Sequence, residues 1–182
     1  FKRRLLFFLM VPLAFACSNK EVVFIDSTNT HIAYEGRVAP SKIHGTALYW
    51  SGTSIEFTFE GESIAAIFKD ETGDNYYNVI IDNDSLFILR PSTTKESYEL
   101  ASNLSKGKHT VEIFKRTEFN RGKTSFYGFQ IKGNPKLFTK QTATQRKIEF
   151  YGNSITAGYA VEDFSGKDSP DSTYTNNYLS YA

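Results

Sequence analysis

The fold is decided by the stretch Ile55-Glu56-Phe57-Thr58-Phe59-Glu60, in which apolar and polar residues alternate. Successive side chains of a β-strand point to opposite faces, so this period of two predicts a strand with one face in a core. Just before it, Ser51-Gly52 follows Leu48-Tyr49-Trp50 and indicates a tight turn. The pattern therefore predicts a sheet that buries one of its two faces.

Similar short strands follow along the chain. They are predicted at Ser63 to Lys69, Tyr76 to Asp82, Leu86 to Leu89 and His109 to Arg116, and a last one contains Tyr127, Phe129 and Ile131. Asn83-Asp84 suits the left-handed backbone of a hairpin turn. About eight strands with little helical pattern between them predict a mainly β protein built on a β-sandwich of the jelly-roll kind.

The composition changes after Gly133-Asn134-Pro135, which predicts a domain boundary. The residues from Phe138 to Arg146 are polar and are interpreted as a linker. Beyond them, Lys147-Ile148-Glu149-Phe150-Tyr151 predicts a strand, Gly152-Asn153-Ser154 a turn, and Ile155 the start of a helix. A strand that leads into a helix through a glycine turn is the usual beginning of an α/β domain.

The sequence thus divides into five parts. We expect a signal peptide with its cysteine over 1–17, a tether over 18–31, a β-sandwich over 32–137, a linker over 138–146, and the first strand and helix start of an α/β domain over 147–182. The last part is too short to complete an α/β domain, so we expect that domain to be truncated.

Charge and ligand spacing exclude several classes of function. The 182 residues include 21 Lys and Arg against 20 Asp and Glu, a net charge of +1, so no nucleic-acid partner is expected. No His, Cys or carboxylate cluster has the spacing of a metal site, so no metal is expected. A calcium loop is the alternative for the acidic residues Asp70, Glu71, Asp74, Asp82 and Asp84, but solvated turn carboxylates are favoured.

The N-terminus has the layout of an export signal. Lys2, Arg3 and Arg4 precede an apolar run from Leu5 to Ala16, which is too short to span a bilayer. Leu13-Ala14-Phe15-Ala16 before the single cysteine, Cys17, resembles the lipobox of bacterial lipoproteins. The resemblance implies lipid attachment at Cys17 and an exported lipoprotein in the periplasm, the outer membrane or at the cell surface. A buried free thiol is the alternative.

Ser154 is the candidate nucleophile. A turn between a strand and a helix exposes a serine hydroxyl and directs backbone N–H groups at the site, where they can stabilise an oxyanion. Gly152 permits the bend and Asn153 can form a hydrogen bond within the turn. Such triplets are common in ordinary turns, so spacing alone favours a surface serine.

The wider stretch from Lys147 to Tyr159, KIEFYGNSITAGY, favours a nucleophile over a surface serine. It resembles the first block of the SGNH (GDSL-type) hydrolases in carbohydrate esterase family 2, and His109 to Glu118 with Gly128-Phe129 resembles the end of that family's N-terminal jelly roll. The resemblance implies that Ser154 is the nucleophile and that its backbone N–H helps to hold the oxyanion. It implies removal of acetyl groups from polysaccharides such as xylan or glucomannan by serine acyl transfer, which needs no cofactor.

Two features qualify this interpretation. Asn153 stands where the family often has Asp, a substitution that keeps the turn hydrogen bond and removes a negative charge. His31, His44 and His109 lack the family's Asp-x-x-His spacing, so the catalytic His and any supporting Asp are expected after Ala182. We expect the chain by itself to be inactive. The alternative function is a carbohydrate-binding β-sandwich that carries a degenerate hydrolase domain.

Three further groups of residues have predicted roles. The charged residues Lys115-Arg116-Thr117-Glu118 are expected to hold the sandwich against the hydrolase part. The aromatic residues Trp50, Tyr49, Tyr76 and Tyr77 could stack on sugar rings, although core or interdomain packing is favoured for Trp50. In Thr175-Asn176-Asn177-Tyr178-Leu179, Thr175 is expected to cap a helix, and His109 is expected to bond loop backbone.

Overall fold

The computed structural model describes residues 21–140, 148–167 and 171–181. The signal peptide, Cys17, most of the linker and Lys147 therefore lie outside the described residues. The strands are β1 (Val22–Asp26), β2 (Ala33–Glu35), β3 (Val38–Ala39), β4 (Thr46–Leu48), β5 (Ser54–Glu60), β6 (Ser63–Asp70), β7 (Tyr77–Ile81), β8 (Ser85–Leu89), β9 (Glu96–Ala101), β10 (His109–Lys115), β11 (Thr124–Lys132) and β12 (Lys136–Phe138). Short 3-10 helices span Phe119–Arg121, Ser172–Tyr174 and Asn177–Leu179.

The strands form two antiparallel sheets of six strands each. One has the order β3-β4-β11-β6-β9, with β1 also paired to β11, and the other has the order β12-β5-β10-β7-β8, with β2 also paired to β5. The mainly β sandwich predicted from sequence is confirmed. No helix long and apolar enough to cross a membrane occurs in the described part of the chain.

The stretch that predicted the fold lies at the centre of the core. Ile55, Phe57 and Phe59 are buried, whereas the residues between them are half-buried, as the alternation requires. The ring of Phe57 stacks on Phe129 of the opposite sheet with centroids 4.9 Å apart, and Phe126 packs against Phe129 edge to face at the same distance. Each such buried ring stabilises the fold by about 2 to 3 kcal/mol relative to an exposed one.

The predicted tether is wrong for residues 22–26. These residues form β1, which pairs along its length with β11, from Val22 opposite Lys132 to Asp26 opposite Gly128. Gly128 makes this pairing possible, because a Cβ at that position would lie 2.1 Å from the carbonyl oxygen of Ile25. Its φ of +138° also falls in the region that favours glycine. The sandwich therefore includes residues before the predicted start at 32.

Two other local predictions are each displaced by one residue in the structure. The left-handed residues of the β7–β8 turn are Asp82 and Asn83 rather than Asn83 and Asp84. Asp82 occupies the first place because its carboxylate accepts a hydrogen bond from the backbone N–H of Thr110 at 2.7 Å, which anchors the turn to β10. At the other boundary, β12 ends at Phe138, the first residue of the predicted linker.

Residues 148–167 and 171–181 differ most from expectation. Residues 148–151 form no strand, because no other described strand lies beside them to complete a hydrogen-bonded ladder. The chain after Ile155 makes turns instead of a helix, since Gly158 and Ala160 are left-handed, with φ of +71° and +50°. Asn176 rather than Thr175 caps the last 3-10 helix, and its side chain accepts from the N–H of Tyr178.

Candidate active site

Ser154 lies on an exposed turn that is held by its own backbone. The side chain of Asn153 accepts a hydrogen bond from the N–H of Ile155 at 3.0 Å, as the sequence predicted. The N–H of Tyr159 donates to the carbonyl of Ser154 at 2.9 Å. Within the described residues, neither the hydroxyl nor the backbone N–H of Ser154 takes part in a hydrogen bond. Both groups can therefore meet an incoming molecule.

Gly152 is required at this turn for space. A Cβ at Gly152 would lie 1.8 Å from the hydroxyl oxygen of Thr156, so any side chain there would displace the turn. The same hydroxyl forms a hydrogen bond with the hydroxyl of Tyr181 at 2.6 Å. Gly152 thus leaves room for the Ser154 turn to close on itself.

Arg116 connects the sandwich to the segment that carries Ser154. Its guanidinium is buried and donates to the carbonyl oxygens of Thr173 at 3.0 Å and Thr175 at 3.2 Å. It also donates to the side chain of Asn78 at 3.3 Å and forms an ion pair with Glu162. The predicted role of the charged stretch 115–118 thus falls to Arg116. The carboxylate that pairs with Arg116 belongs to Glu162, which was not predicted from the sequence.

Further contacts fix the segment on the same end of the sandwich. The hydroxyl of Ser172 donates to Asp74 at 2.6 Å, and that of Thr173 donates to the Tyr76 hydroxyl at 3.0 Å. Tyr178 packs edge to face on Phe114 with ring centroids 5.1 Å apart. The Ser154 turn is therefore attached to the sandwich by these residues, which follow it in sequence, and by an exposed ion pair between Arg37 and Glu149, which precedes it.

Lys115 points away from that segment. Its buried ammonium donates to the carbonyl of Thr117 at 2.8 Å, to the Thr117 hydroxyl at 3.2 Å and to the carbonyl of Glu118 at 3.3 Å. Burial lowers the pKa of Lys115 to about 7, against the opposing effects of the Asp70 and Glu118 charges. Lys115 thus holds the turn after β10 and does not join the two parts.

None of the three histidines is hydrogen-bonded to Ser154. The ring nitrogens of His109 contact the carbonyl of Ser105 at 2.9 Å and the carboxylate of Asp82 at 2.7 Å, so its predicted bonding to loop backbone is confirmed. These two hydrogen bonds raise the pKa of His109. The His31 ring bonds to Asn29 at 3.0 Å, and His44 is exposed.

The acidic residues lie in turns, as the sequence favoured, but Asp70 is buried and not solvated as predicted. The buried carboxylate of Asp70 accepts from the N–H of Gly73 at 2.7 Å, from the side chain of Asn75 at 2.9 Å and from the hydroxyl of Thr124. Over the ranges that the structure describes, no group of three or more His, Cys, Asp or Glu residues could hold a metal ion.

The aromatic residues separate into buried and exposed ones. Tyr76 and Tyr77 are buried, which excludes them from stacking on a sugar. Trp50 is 47% exposed and lies against Phe119, which is 60% exposed, with ring centroids 5.1 Å apart. Trp50 therefore does not pack in the core, and the interdomain packing also favoured for it stays a prediction. Phe119 was missed because no alternation or motif surrounds it.

The structure defines a class of protein in which a β-sandwich is followed by an exposed turn with the sequence Gly-Asn-Ser. Residues 34–140 match the family described as "Carbohydrate esterase 2 N-terminal". The chain therefore belongs to carbohydrate esterase family 2.

Two curated relatives show how much of such proteins the chain represents. It is 35% identical over 157 residues to the "Cellulase/esterase CelE" of Acetivibrio thermocellus, covering 86% of this chain and 19% of that protein. It is 25% identical over 158 residues to an "Acetylxylan esterase / glucomannan deacetylase" of Cellvibrio japonicus, covering 84% of this chain and 44% of that protein. The chain thus spans less than half the length of either relative.

Solved structures agree with the fold. A family two carbohydrate esterase from Clostridium thermocellum in complex with cellohexaose is 35% identical, with a TM-score of 0.76 over 83% of this chain and 46% of that one. A family two carbohydrate esterase from Cellvibrio japonicus has a TM-score of 0.82 over 89% of this chain and 48% of that one. At 24% identity, the second comparison supports the fold alone.

Proposed function

We propose that the full-length protein is a serine esterase that removes acetyl groups from polysaccharides such as xylan or glucomannan, with Ser154 as its nucleophile. The observation that carries this proposal is the exposed Ser154 turn, whose hydroxyl and N–H are unbonded within the described residues. Membership of carbohydrate esterase family 2 and the relatives' names supply the reaction class and the substrates.

The reaction follows from the groups at that turn. The Ser154 oxygen attacks the acetyl carbonyl while a histidine from a later part of the protein takes the hydroxyl proton. The Ser154 N–H donates to the oxyanion that forms, and Asn153 adds no negative charge beside it. The histidine then protonates the departing sugar oxygen. Water, deprotonated by the same histidine, attacks the acyl-serine, and the histidine returns this proton to the Ser154 oxygen as acetate leaves. This chemistry needs no cofactor.

The test is acetate release from acetylated xylan by the full-length protein and by its Ser154→Ala variant. The variant should lose nearly all activity and keep its melting temperature, because the exposed hydroxyl packs against nothing. The variant can still hydrolyse the ester about 10³-fold faster than water alone does, because the oxyanion hole remains.

Ser165→Ala is the matched control for this test. Ser165 is an exposed serine in the same segment, and its substitution should leave acetate release unchanged. An active Ser154→Ala variant would show that the nucleophile is wrongly assigned.

The exposed pair of Trp50 and Phe119 supports the proposed carbohydrate substrate. Aromatic faces stack on the apolar side of a pyranose ring, and Trp50 lies two residues before Gly52, which adjoins the segment carrying Ser154. We expect Trp50→Ala to raise KM for acetylated oligosaccharides while kcat changes little. An unchanged KM would remove this pair from the substrate site.

A carbohydrate-binding protein without activity is the second candidate, and the same exposed aromatic pair favours it. Calorimetric titration of the unmodified full-length protein with cello- and xylo-oligosaccharides distinguishes the two. Binding without any acetate release would support the second candidate, whereas acetate release that depends on Ser154 would support the esterase.

We also propose that the protein is exported and held at a membrane by a lipid attached to Cys17. The charged start, the short apolar run and the position of the cysteine support this proposal, and a lipid anchor would be its sole contact with the membrane.

A further inference from the structure

Asn177 is a buried residue that bonds to the turn carrying Ser154. Its side-chain amide donates to the carbonyl oxygen of Thr156 at 2.9 Å and to the hydroxyl of Ser180 at 3.2 Å. Thr156 lies two residues after Ser154 and within the same turn. The donor on Asn177 therefore fixes the backbone on the C-terminal side of the candidate nucleophile.

The rest of Asn177 is held by the sandwich. Its backbone N–H donates to the carbonyl of Arg116 at 3.1 Å. Its side-chain oxygen lies against Gly52, where an added Cβ would come within 2.8 Å. Gly52 is itself fixed, because its N–H donates to the carbonyl of Lys115 at 2.9 Å. Asn177 thus spans the distance between the end of β10 and the Ser154 turn.

The neighbouring residue Asn176 holds the Ser154 turn at a second point. The N–H of Asn176 donates to the carbonyl of Gly158 at 3.0 Å, and a Cβ at Gly158 would lie 2.4 Å from the carbonyl oxygen of Asn176. The side chain of Asn176 also donates to Glu162 at 2.8 Å, and Glu162 is the ion-pair partner of Arg116. The turn is therefore held at two points, two and four residues after Ser154.

We infer that Asn177 is a positioning residue for the Ser154 nucleophile, linking the turn to the β-sandwich so that the hydroxyl and the N–H keep their relative placement. The inference rests on the proposed function of Ser154. Asn177 touches no reacting atom and acts through the Thr156 carbonyl. The sandwich accordingly contributes to catalysis by holding the turn, in addition to any role in binding carbohydrate.

The test compares Asn177→Ala and Asn177→Asp in the full-length protein, with acetate release as the activity. A nucleophile displaced by a fraction of an ångström should lower kcat by about tenfold to a hundredfold and leave KM nearly unchanged. Asn177→Asp keeps the shape, but an ionised carboxylate cannot donate to the Thr156 carbonyl. Once protonated it can, so the ratio of its kcat to that of the unmodified protein should rise as the pH falls.

His109→Ala is the control for lost stability. His109 is buried and hydrogen-bonded like Asn177, but it starts β10, about 20 Å along the strand from Lys115 at 3.4 Å per residue. The melting temperature of the His109→Ala variant should fall while its kcat stays the same. An Asn177→Ala kcat within about twofold of the unmodified value, or an equal kcat loss in His109→Ala, would overturn the inference. An active Ser154→Ala protein would instead overturn the proposed function.

Discussion

Replacing Arg116 by methionine should release the segment that carries Ser154 while the sandwich stays folded. Methionine keeps the apolar stem and removes the guanidinium, which donates to Asn78 within the sandwich and to Thr173, Thr175 and Glu162 within the segment. Three of the four partners therefore belong to the segment. Its attachment should weaken far more than the core.

The magnitude follows from burial. Removing one partner of a buried ion pair costs about 3 to 5 kcal/mol, because the other charge and its acceptors are left uncompensated. The lower end applies here, since the Glu162 side chain is 30% exposed and water can solvate it in part. A loss of about 3 kcal/mol in the free energy of local opening corresponds to about a 150-fold change in the opening equilibrium.

Amide hydrogen exchange of the full-length protein measures this opening. The N–H groups of Asn176 and Asn177, bonded to the carbonyls of Gly158 and Arg116, should exchange faster by that factor in Arg116→Met. Amides within β10 should change little. Lys136→Met is the control, because Lys136 is an exposed cation whose ion pair with Glu60, at 3.1 Å, lies within the sandwich and contributes below about 1 kcal/mol.

Two results would refute the reasoning. Unchanged exchange at both asparagines in Arg116→Met would show that the guanidinium does not hold the segment. Equal acceleration throughout β10 would show that the substitution destabilises the whole sandwich rather than its contact with the segment.

The other predictions address the sandwich, the export signal and the buried lysine. A fragment of residues 20–140 should fold alone, with a β-type circular dichroism spectrum and a cooperative melt, and a helical or unfolded spectrum would contradict this. Cys17→Ser should abolish metabolic labelling with a fatty acid and release the protein from membranes, whereas unchanged labelling would exclude the anchor. Burial lowers the pKa of Lys115 to about 7 from 10.5, so between these values the unfolded chain binds a proton that the folded protein does not. Stability in denaturant melts should therefore rise with pH over that window, and Lys115→Met should remove the rise.

The sandwich could be predicted because its evidence is local. The alternation in β5 and β11 follows directly from which side chains face the core, and it gave the strands and their faces. β1 was missed because its burial depends on a partner about a hundred residues away and on Gly128, whose role as a close contact for Ile25 appears only in the folded chain.

The candidate site could be predicted only at its motif. The turn at Ser154 and the hydrogen bond of Asn153 follow from residue type. The helix expected after Ile155 does not form, because Gly158 packs against the backbone of Asn176 in a left-handed conformation. Long-range packing therefore overrides the local helical preference, and sequence spacing carries no record of it.

The position of Ser154 depends on contacts that its own turn does not make. The local hydrogen bonds of the turn fix its shape, yet they leave its orientation toward the sandwich open. That orientation comes from Arg116, at the end of β10, and from Asn177, in the last 3-10 helix, both distant from Ser154 in sequence. A rigid sheet end is a better reference for a nucleophile than a loop, since its backbone is held by a hydrogen-bonded ladder. The fusion of a sandwich to the serine turn in one chain thus has a mechanical basis, because the sandwich supplies the fixed frame against which Ser154, the proposed nucleophile, is oriented.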